Sequence, residues 1–264
     1  MRSSELKMQK TEIVEVVQAE LKNPILIEGL PGLGMVGRIA VRFLSKQLGA
    51  ERMAFLYSPH FPYYVVVNKK GDARLLRGEF RFWRNAKGDS DVVFLSGDSQ
   101  AQTIEGQYEV ADVILEFCKA HGIKTIVSLG GFRVETEDMP KVIAAATNPV
   151  LLDRAVSAGA MVSGAGNPVV GTAGLLLGMA HFKHVDALCL LSETRGYLPD
   201  PRSAKSMLAV LIKLLGLDVD LVGLDKEIAK AEQIVDRMKQ IEKRREEQQQ
   251  KIREQEESKA KYIS

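Results

Sequence analysis

Short apolar runs alternate with helical patterns over about 200 residues of this chain, and this alternation restricts its fold more than any other feature. Glycine and proline mark the helix ends, as they do at 201 and 216. The pattern predicts an α/β fold with a mostly parallel, helix-covered sheet. The clearest predicted strands are 23–30, 91–98, 124–132 and 185–194, and the clearest predicted helices are 34–49, 101–121 and 201–216. After the turn at 69–72, the segment 73–85 is expected to pair antiparallel.

The composition changes near residue 221, which divides the chain into a predicted α/β core domain, 1–220, and a C-terminal helical arm, 221–264. The arm begins with apolar residues spaced three and four apart, the pattern of a coiled-coil seam. Beyond 241 almost every residue is charged or carries an amide, which is typical of a solvated helix or an extended arm. The seam residues are Leu221, Leu224, Ile228, Ala231, Val235 and Met238.

The stretch GLPGLGMVG, 29–37, has the Gly-x-Gly-x-x-Gly spacing of a dinucleotide-binding loop. Its surroundings disagree with that function. Pro31 removes an amide donor from the loop, Glu28 places a carboxylate where phosphate would lie, and no acidic residue ends the second predicted strand. We therefore predict no cofactor. Three glycines are expected to serve the turn and the packing of the first helix: Gly32, Gly34 and Gly37.

Polar side chains follow several predicted strands, at the sheet edge where α/β enzymes place their sites. They also suit ordinary caps of strand-to-helix turns, and no activated nucleophile or base accompanies them. Two interpretations stay open: a pocket of an enzyme acting on a nucleoside-like or carboxylate substrate, or structural caps. Similarly, Thr172 is expected to cap the helix that follows the second glycine-rich loop. The candidate pocket residues are Glu28, Asp98, Gln100, Glu193 and Arg195.

Charge and cysteine usage exclude several classes of function. The 36 basic and 34 acidic residues give a net charge of +2, which favours neither nucleic acid nor an anionic membrane as a partner. No apolar run reaches the length of about 18 residues that a membrane span needs. Cys118 and Cys189 each lie in an apolar segment, so we predict buried free thiols in a reducing cytoplasm. His181 and His184 have no ligand-like neighbours, and no metal site is predicted.

Several blocks taken together resemble the proteasome assembly chaperone family, specifically its archaeal members, over about 20–217. They are IEGLPGLGMVGRIAVRFL, FLSGDSQ, IVSLGGF, GTAGLLLGMA and CLLSETRGYLPDPRSAKSMLAVLIKLLG. The segments LLSETRGYLPDPRSA and LGGF are the most specific. The resemblance implies a fold similar to that of nucleoside phosphorylases and hydrolases, with no catalytic activity. It further implies that the chain binds the α-subunits of the 20S proteasome as a homo-oligomer, a tetramer or pentamer.

The resemblance also points to the C-terminus, since family members end in hydrophobic-Tyr-X and dock this tip between α-subunits. There the terminal carboxylate pairs with a pocket lysine. This chain ends in SKAKYIS, so the expected partner-binding residues are Tyr262, Ile263 and Ser264. Tyr262 stands third from the end instead of second, which moves its ring by about 3.3 Å along an extended chain. An oligomeric scaffold for another protein is therefore a further alternative.

Overall fold

The fold is built around a nine-stranded sheet, seen in a computed structural model that describes residues 9–135 and 138–234. The sheet order is β1-β3-β6-β7-β2-β8-β11-β9-β10, and β4 and β5 form a separate two-stranded sheet. The strands are β1 Glu12–Glu15, β2 Ile25–Gly29, β3 Glu51–Tyr57, β4 Val65–Val67, β5 Ala73–Leu75, β6 Gly78–Trp83, β7 Val92–Gly97, β8 Thr125–Arg133, β9 Val142–Ala146, β10 Met161–Val162 and β11 Asp186–Thr194.

Strand directions differ between the centre of the sheet and its flanks. The central strands β7, β2, β8 and β11 are parallel neighbours, whereas β1, β3, β6 and β7 pair antiparallel in series. β9 runs antiparallel to β11, and β10 runs parallel to β9. The prediction of a mostly parallel sheet is therefore wrong for the flanks. The connections 84–91 and 134–141 are each shorter than the crossover of about a dozen residues that a parallel partner needs.

Among the described residues of the core, five α-helices cover the sheet, and α3 packs against α5. α1 contacts α5, and α2 contacts α4. One hydrophobic core cluster joins the strands to α2 and α4, and includes Leu26, Phe80 and Ile114. Apolar burial of this extent is the dominant favourable term in folding. The helices are α1 Val36–Gln47, α2 Ile104–Ala120, α3 Pro149–Ser157, α4 Gly171–Ala180 and α5 Pro201–Leu215.

Local capping residues explain why α3 and α5 begin where they do. Asn148 accepts a hydrogen bond from the Leu151 N–H, and Asp200 accepts one from the Ser203 N–H. Each cap is followed directly by proline in the first helical turn, as predicted from the sequence. α5 ends at Gly216, which adopts the left-handed conformation that glycine tolerates best.

By its own internal contacts the chain divides into two units, Met1–Leu221 and Val222–Ser264. In the second unit a helix covers 222–234. The seam residues Val235 and Met238 and the whole charged tail lie outside the described residues. Within the described parts, no helix is both long and apolar enough to span a membrane.

Candidate functional site

The glycine-rich loop lies between β2 and α1, at the carboxyl end of a central strand. Gly34 has φ of +59°, and a Cβ added there would lie 2.6 Å from Thr194 Oγ1. A Cβ at Gly37 would lie only 2.0 Å from the Leu129 carbonyl oxygen. The predicted roles in turn and packing are therefore right for these two glycines. Gly32 differs, because its backbone is extended and a Cβ there would meet its nearest atom at 3.6 Å.

The same loop is fixed by the segment between β11 and α5. The Asp200 N–H donates to the Gly34 carbonyl at 2.8 Å, and Thr194 Oγ1 donates to Asp200 Oδ2 at 2.8 Å. Leu33 fills the space above β8, since a Cβ added at Gly131 would lie 2.5 Å from the Leu33 oxygen. β2 and β8 are adjacent parallel strands whose connections leave in opposite directions, the position at which α/β folds bind nucleotides. Here the protein's own loop occupies that position.

Glu28 is a buried carboxyl group on β2, with only 1% of its surface exposed. Its Oε1 accepts a hydrogen bond from the Leu30 N–H at 2.9 Å, while Oε2 is sealed from solvent with no hydrogen-bond partner among the described residues. Burial raises the pKa of Glu28 to about 7, although the Leu30 N–H and the Ser128 side chain oppose this increase. Ser128 and Cys189 continue the same row across β8 and β11. Glu28 therefore lies in the core.

Asp98, at the end of β7, is held by three groups. Arg74 contacts both carboxylate oxygens, at 2.5 and 3.1 Å, and the Arg77 N–H donates to Oδ2 at 3.2 Å. Arg38 Nη2 lies 3.9 Å from Oδ1. Burial by itself would raise the pKa of Asp98, but the hydrogen bonds from Arg74 and Arg77 and the charge of Arg38 outweigh it and lower the pKa. Asp98 is thus an ionised anchor for the arginines around it.

Gln100 connects the glycine-rich loop to α4. Its Nε2 donates to the Pro31 carbonyl at 2.7 Å, and its Oε1 accepts from the Thr172 N–H at 3.0 Å. The predicted cap at Thr172 is wrong, because α4 begins at Gly171 and the Thr172 side chain is fully buried against Gln100 and Gln107. Gln100 instead satisfies an orphan amide of the first turn of α4.

The other two candidate pocket residues belong to the end of β11. Glu193 Oε2 accepts a hydrogen bond from the Lys141 N–H at 3.0 Å, which holds the segment before β9, and Arg195 is half-buried directly after the strand. Asp98, Gln100 and Glu193 thus make contacts that join separate segments of the chain. A pocket for substrate at this edge stays a prediction.

Two absences complete the description of the site. Across 9–135 and 138–234, no group of three or more His, Cys, Asp or Glu side chains is arranged to hold a metal ion. Cys118 and Cys189 are free and buried, as predicted, and burial raises the pKa of both thiols. The tip residues Tyr262, Ile263 and Ser264 lie outside the described residues.

Comparison with known proteins identifies the family. The sequence profile of the PAC2 family matches residues 26–239, which include nearly all of the α/β core. The chain belongs to the PAC2 family. This assignment agrees with the resemblance to proteasome assembly chaperones that the sequence blocks indicated, and that resemblance is confirmed.

The similar solved structures include two proteins from Pyrococcus furiosus. PbaB, an archaeal proteasome activator, is 34% identical with a TM-score of 0.84, over 88% of this chain and all of that one. PbaA, an archaeal homologue of proteasome-assembly chaperone, is 28% identical with a TM-score of 0.72, over 95% of this chain and 99% of that one. An uncharacterized protein of Methanocaldococcus jannaschii is 34% identical over 75% of this chain and 76% of its own length.

These relatives bear on two expectations. The mixed α/β fold with a large sheet is the fold of PAC2 structures, while the likeness to nucleoside phosphorylases stays a prediction. Activator and assembly chaperone are non-enzymatic roles, in agreement with the expectation that the chain is not an enzyme.

Proposed function

We propose that this PAC2 protein binds the α-subunits of the 20S proteasome as an assembly chaperone or activator, without catalysis. The observation that carries the proposal is the match to PbaB, an archaeal proteasome activator, at 34% identity and a TM-score of 0.84. That match covers the whole of PbaB. The interlocked glycine-rich loop also supports a binding role, because the residues that would line a nucleotide crevice contact one another instead.

Contact with the proteasome is proposed to run through the C-terminal arm. The second unit, Val222–Ser264, is distinct in its internal contacts, and it starts as a helix over 222–234. The sequence after 241 is too polar to form a core of its own, so it suits a segment that reaches a partner. The apolar and aromatic side chains of Ile263 and Tyr262 would enter a pocket, and the terminal carboxylate would pair with a lysine there.

Removing residues 242–264 is expected to abolish binding to 20S proteasome α-subunits and to leave the core folded, because the core elements end with α5 at Leu215. Surface plasmon resonance with immobilised 20S particles measures the change, and circular dichroism checks the fold. A finer variant, Tyr262→Ala, is expected to weaken binding about tenfold or more. Tyr63→Ala is the matched control, since that tyrosine is fully exposed on the core. If the truncated protein bound 20S particles as tightly as the full-length chain does, the C-terminal arm would not be the contact with the proteasome.

The second candidate function is that of an oligomeric scaffold for a protein other than the proteasome, and the position of Tyr262 favours this function. The tyrosine is third from the end, so its ring and the carboxylate do not have the spacing that the family's tip provides. Failure of the full-length chain to bind 20S particles, combined with a stable oligomer, would select the scaffold over the proteasome.

Oligomerisation is the other part of the proposal. We infer a homo-oligomer, a tetramer or pentamer, in which the seam that begins at Leu221 orients the arms or joins protomers. Light scattering on the full-length chain gives the mass of the particle directly. A monomeric mass at micromolar concentration would contradict the proposed homo-oligomer. The free buried thiols fit a reducing compartment, and we propose the cytoplasm.

A further inference from the structure

Six arginines lie close together near the first helix and the antiparallel flank of the sheet, accompanied by two carboxylates. Arg38 and Arg42 are four residues apart on α1, and the others come from β3, β5, β6 and the segment between β5 and β6. We call this surface the arginine strip: Arg38, Arg42, Arg52, Arg74, Arg77 and Arg81, with Asp98 and Glu79.

Direct contacts connect one half of the strip. Glu79 pairs with Arg52 at 3.3 Å and with Arg81 at 2.7 Å. The Arg77 guanidinium stacks on the Phe55 ring at 3.7 Å, and Arg52 lies over the same ring at 5.2 Å.

The other half centres on Asp98, which binds Arg74 and lies near Arg38. Arg77 joins the two halves, because its N–H donates to Asp98 Oδ2 at 3.2 Å while its guanidinium stacks on the Phe55 ring.

The arginine strip carries an excess of positive charge that the small net charge of the whole chain does not indicate. Six guanidinium groups face two carboxylates, so the strip has four uncompensated charges, whereas the entire chain has a net charge of +2. The rest of the molecule is therefore slightly acidic. A local excess of this size produces a field that attracts an anionic partner and orients its approach.

Arg38 is the least satisfied member of the strip. Three quarters of its side chain is buried, Nε is sealed from solvent, and that N–H has no acceptor among the described residues. Its nearest carboxylate oxygen, on Asp98, is 3.9 Å away, beyond hydrogen-bond distance. Burial lowers the pKa of Arg38 first, and the neighbouring arginines lower it further. A buried guanidinium donor without an acceptor is costly. A quarter of the Arg38 side chain is exposed, so the part of the guanidinium beyond the sealed Nε is open to an incoming oxyanion.

We propose that the arginine strip binds an acidic segment of a protein partner, with a carboxylate of that segment entering between Arg38 and Arg74. Guanidinium groups match carboxylates in bidentate geometry, as Arg74 already shows with Asp98. Single-stranded nucleic acid is less suited, because it needs exposed aromatic rings on which bases stack. Here Phe80 and Phe82 are buried, Arg77 covers Phe55, and Tyr57 and Trp83 are partly buried.

The proposal is independent of the C-terminal tip and is tested on the full chain. The probe is a fluorescein-labelled ten-residue polyglutamate, and its dissociation constant is measured by fluorescence anisotropy at about 50 mM and about 200 mM salt. The double variant Arg38→Gln/Arg42→Gln is expected to weaken binding about fivefold or more, and higher salt is expected to weaken wild-type binding. The Arg38 Nε–H resonance is expected to shift when the peptide is added.

The matched control is Lys119→Gln/Lys124→Gln, which removes the same charge from exposed residues near the start of β8 and should change binding less than about twofold. If the double variant does not fold, the same binding measurement is made with Arg42→Glu, a single substitution at an exposed position of α1. Absence of wild-type binding, or an equal loss in the control, would overturn the proposal. Tighter binding of a ten-residue oligothymidylate than of the peptide would overturn it in favour of nucleic acid.

Discussion

Replacing Gly37 with alanine is expected to destabilise the core by at least about 3 kcal/mol, enough to unfold a marginal protein. The added Cβ would lie 2.0 Å from the Leu129 carbonyl oxygen and 2.8 Å from its carbon, so α1 and β8 would have to separate. Backbone atoms of a central strand cannot move aside as a flexible side chain can. Urea denaturation monitored by circular dichroism measures the loss.

Gly178→Ala is the matched control, because it makes the same chemical change inside α4 where a Cβ meets no atom within 4 Å. Alanine has the higher helix propensity, so this variant is expected to gain about 0.5 to 1 kcal/mol. Equal stability of the Gly37→Ala protein and wild type would show that α1 does not approach β8 as closely as described.

Replacing Glu28 with glutamine is expected to stabilise the protein at alkaline pH by about 3 kcal/mol. The buried carboxyl has a pKa of about 7, against its ordinary value of 4.5. The folded state therefore holds this proton more tightly than the unfolded state does. The contribution of Glu28 to the free energy of unfolding is therefore complete below pH 4.5, decreases as the pH rises, and is lost above pH 7. Glutamine stays neutral and still offers an oxygen to the Leu30 N–H.

The difference between the Glu28→Gln and wild-type proteins should therefore depend on pH. Chemical denaturation at several pH values should give nearly equal free energies of unfolding for the two at pH 4, with the gap increasing to a plateau near pH 8. The pH 4 measurement is an internal control for any packing difference between the two side chains. A gap that stays constant from pH 4 to 8 would contradict a neutral buried Glu28.

The central strands and the helices could be predicted because their signals are local. DVVFLSGD predicted a buried strand, and β7 is Val92–Gly97. Proline before, and glycine after, an amphipathic run predicted α5, which is Pro201–Leu215. The two structural glycines could also be predicted, because the residues around the motif, chiefly Pro31 and Glu28, argued against phosphate.

The flanks of the sheet could not be predicted, because distant partners determine them. β1, Glu12–Glu15, is only four residues long, and its sequence EIVE has no alternation that would identify it as a strand. It is held by α2, through Thr11 with Glu109 and through Glu15 with His121 at 3.5 Å. The directions of β6 relative to β7 and of β9 relative to β8 follow from the short connections 84–91 and 134–141, which apolar patterns alone do not indicate.

The candidate pocket shows the same limit. Gln100 was selected for its place after a strand, but its partners Pro31 and Thr172 lie 69 and 72 positions away. Nothing local in the sequence identifies these contacts. The tip, Tyr262 to Ser264, is tested only by binding experiments.

The hydrogen bond from Asp200 that fixes the glycine-rich loop can form only late in translation, after Asp200 has been synthesised. Gly34 is synthesised early, whereas the residues that secure it, Thr194 and Asp200, emerge only after β11 is complete. The contact between Gly34 and Asp200 therefore cannot form until roughly 10 to 30 s after Gly34 is made, at ordinary elongation rates. During that interval β8 lacks β11, one of its two neighbours in the sheet, so this side of the central sheet is completed only when the last strand of the core has been made.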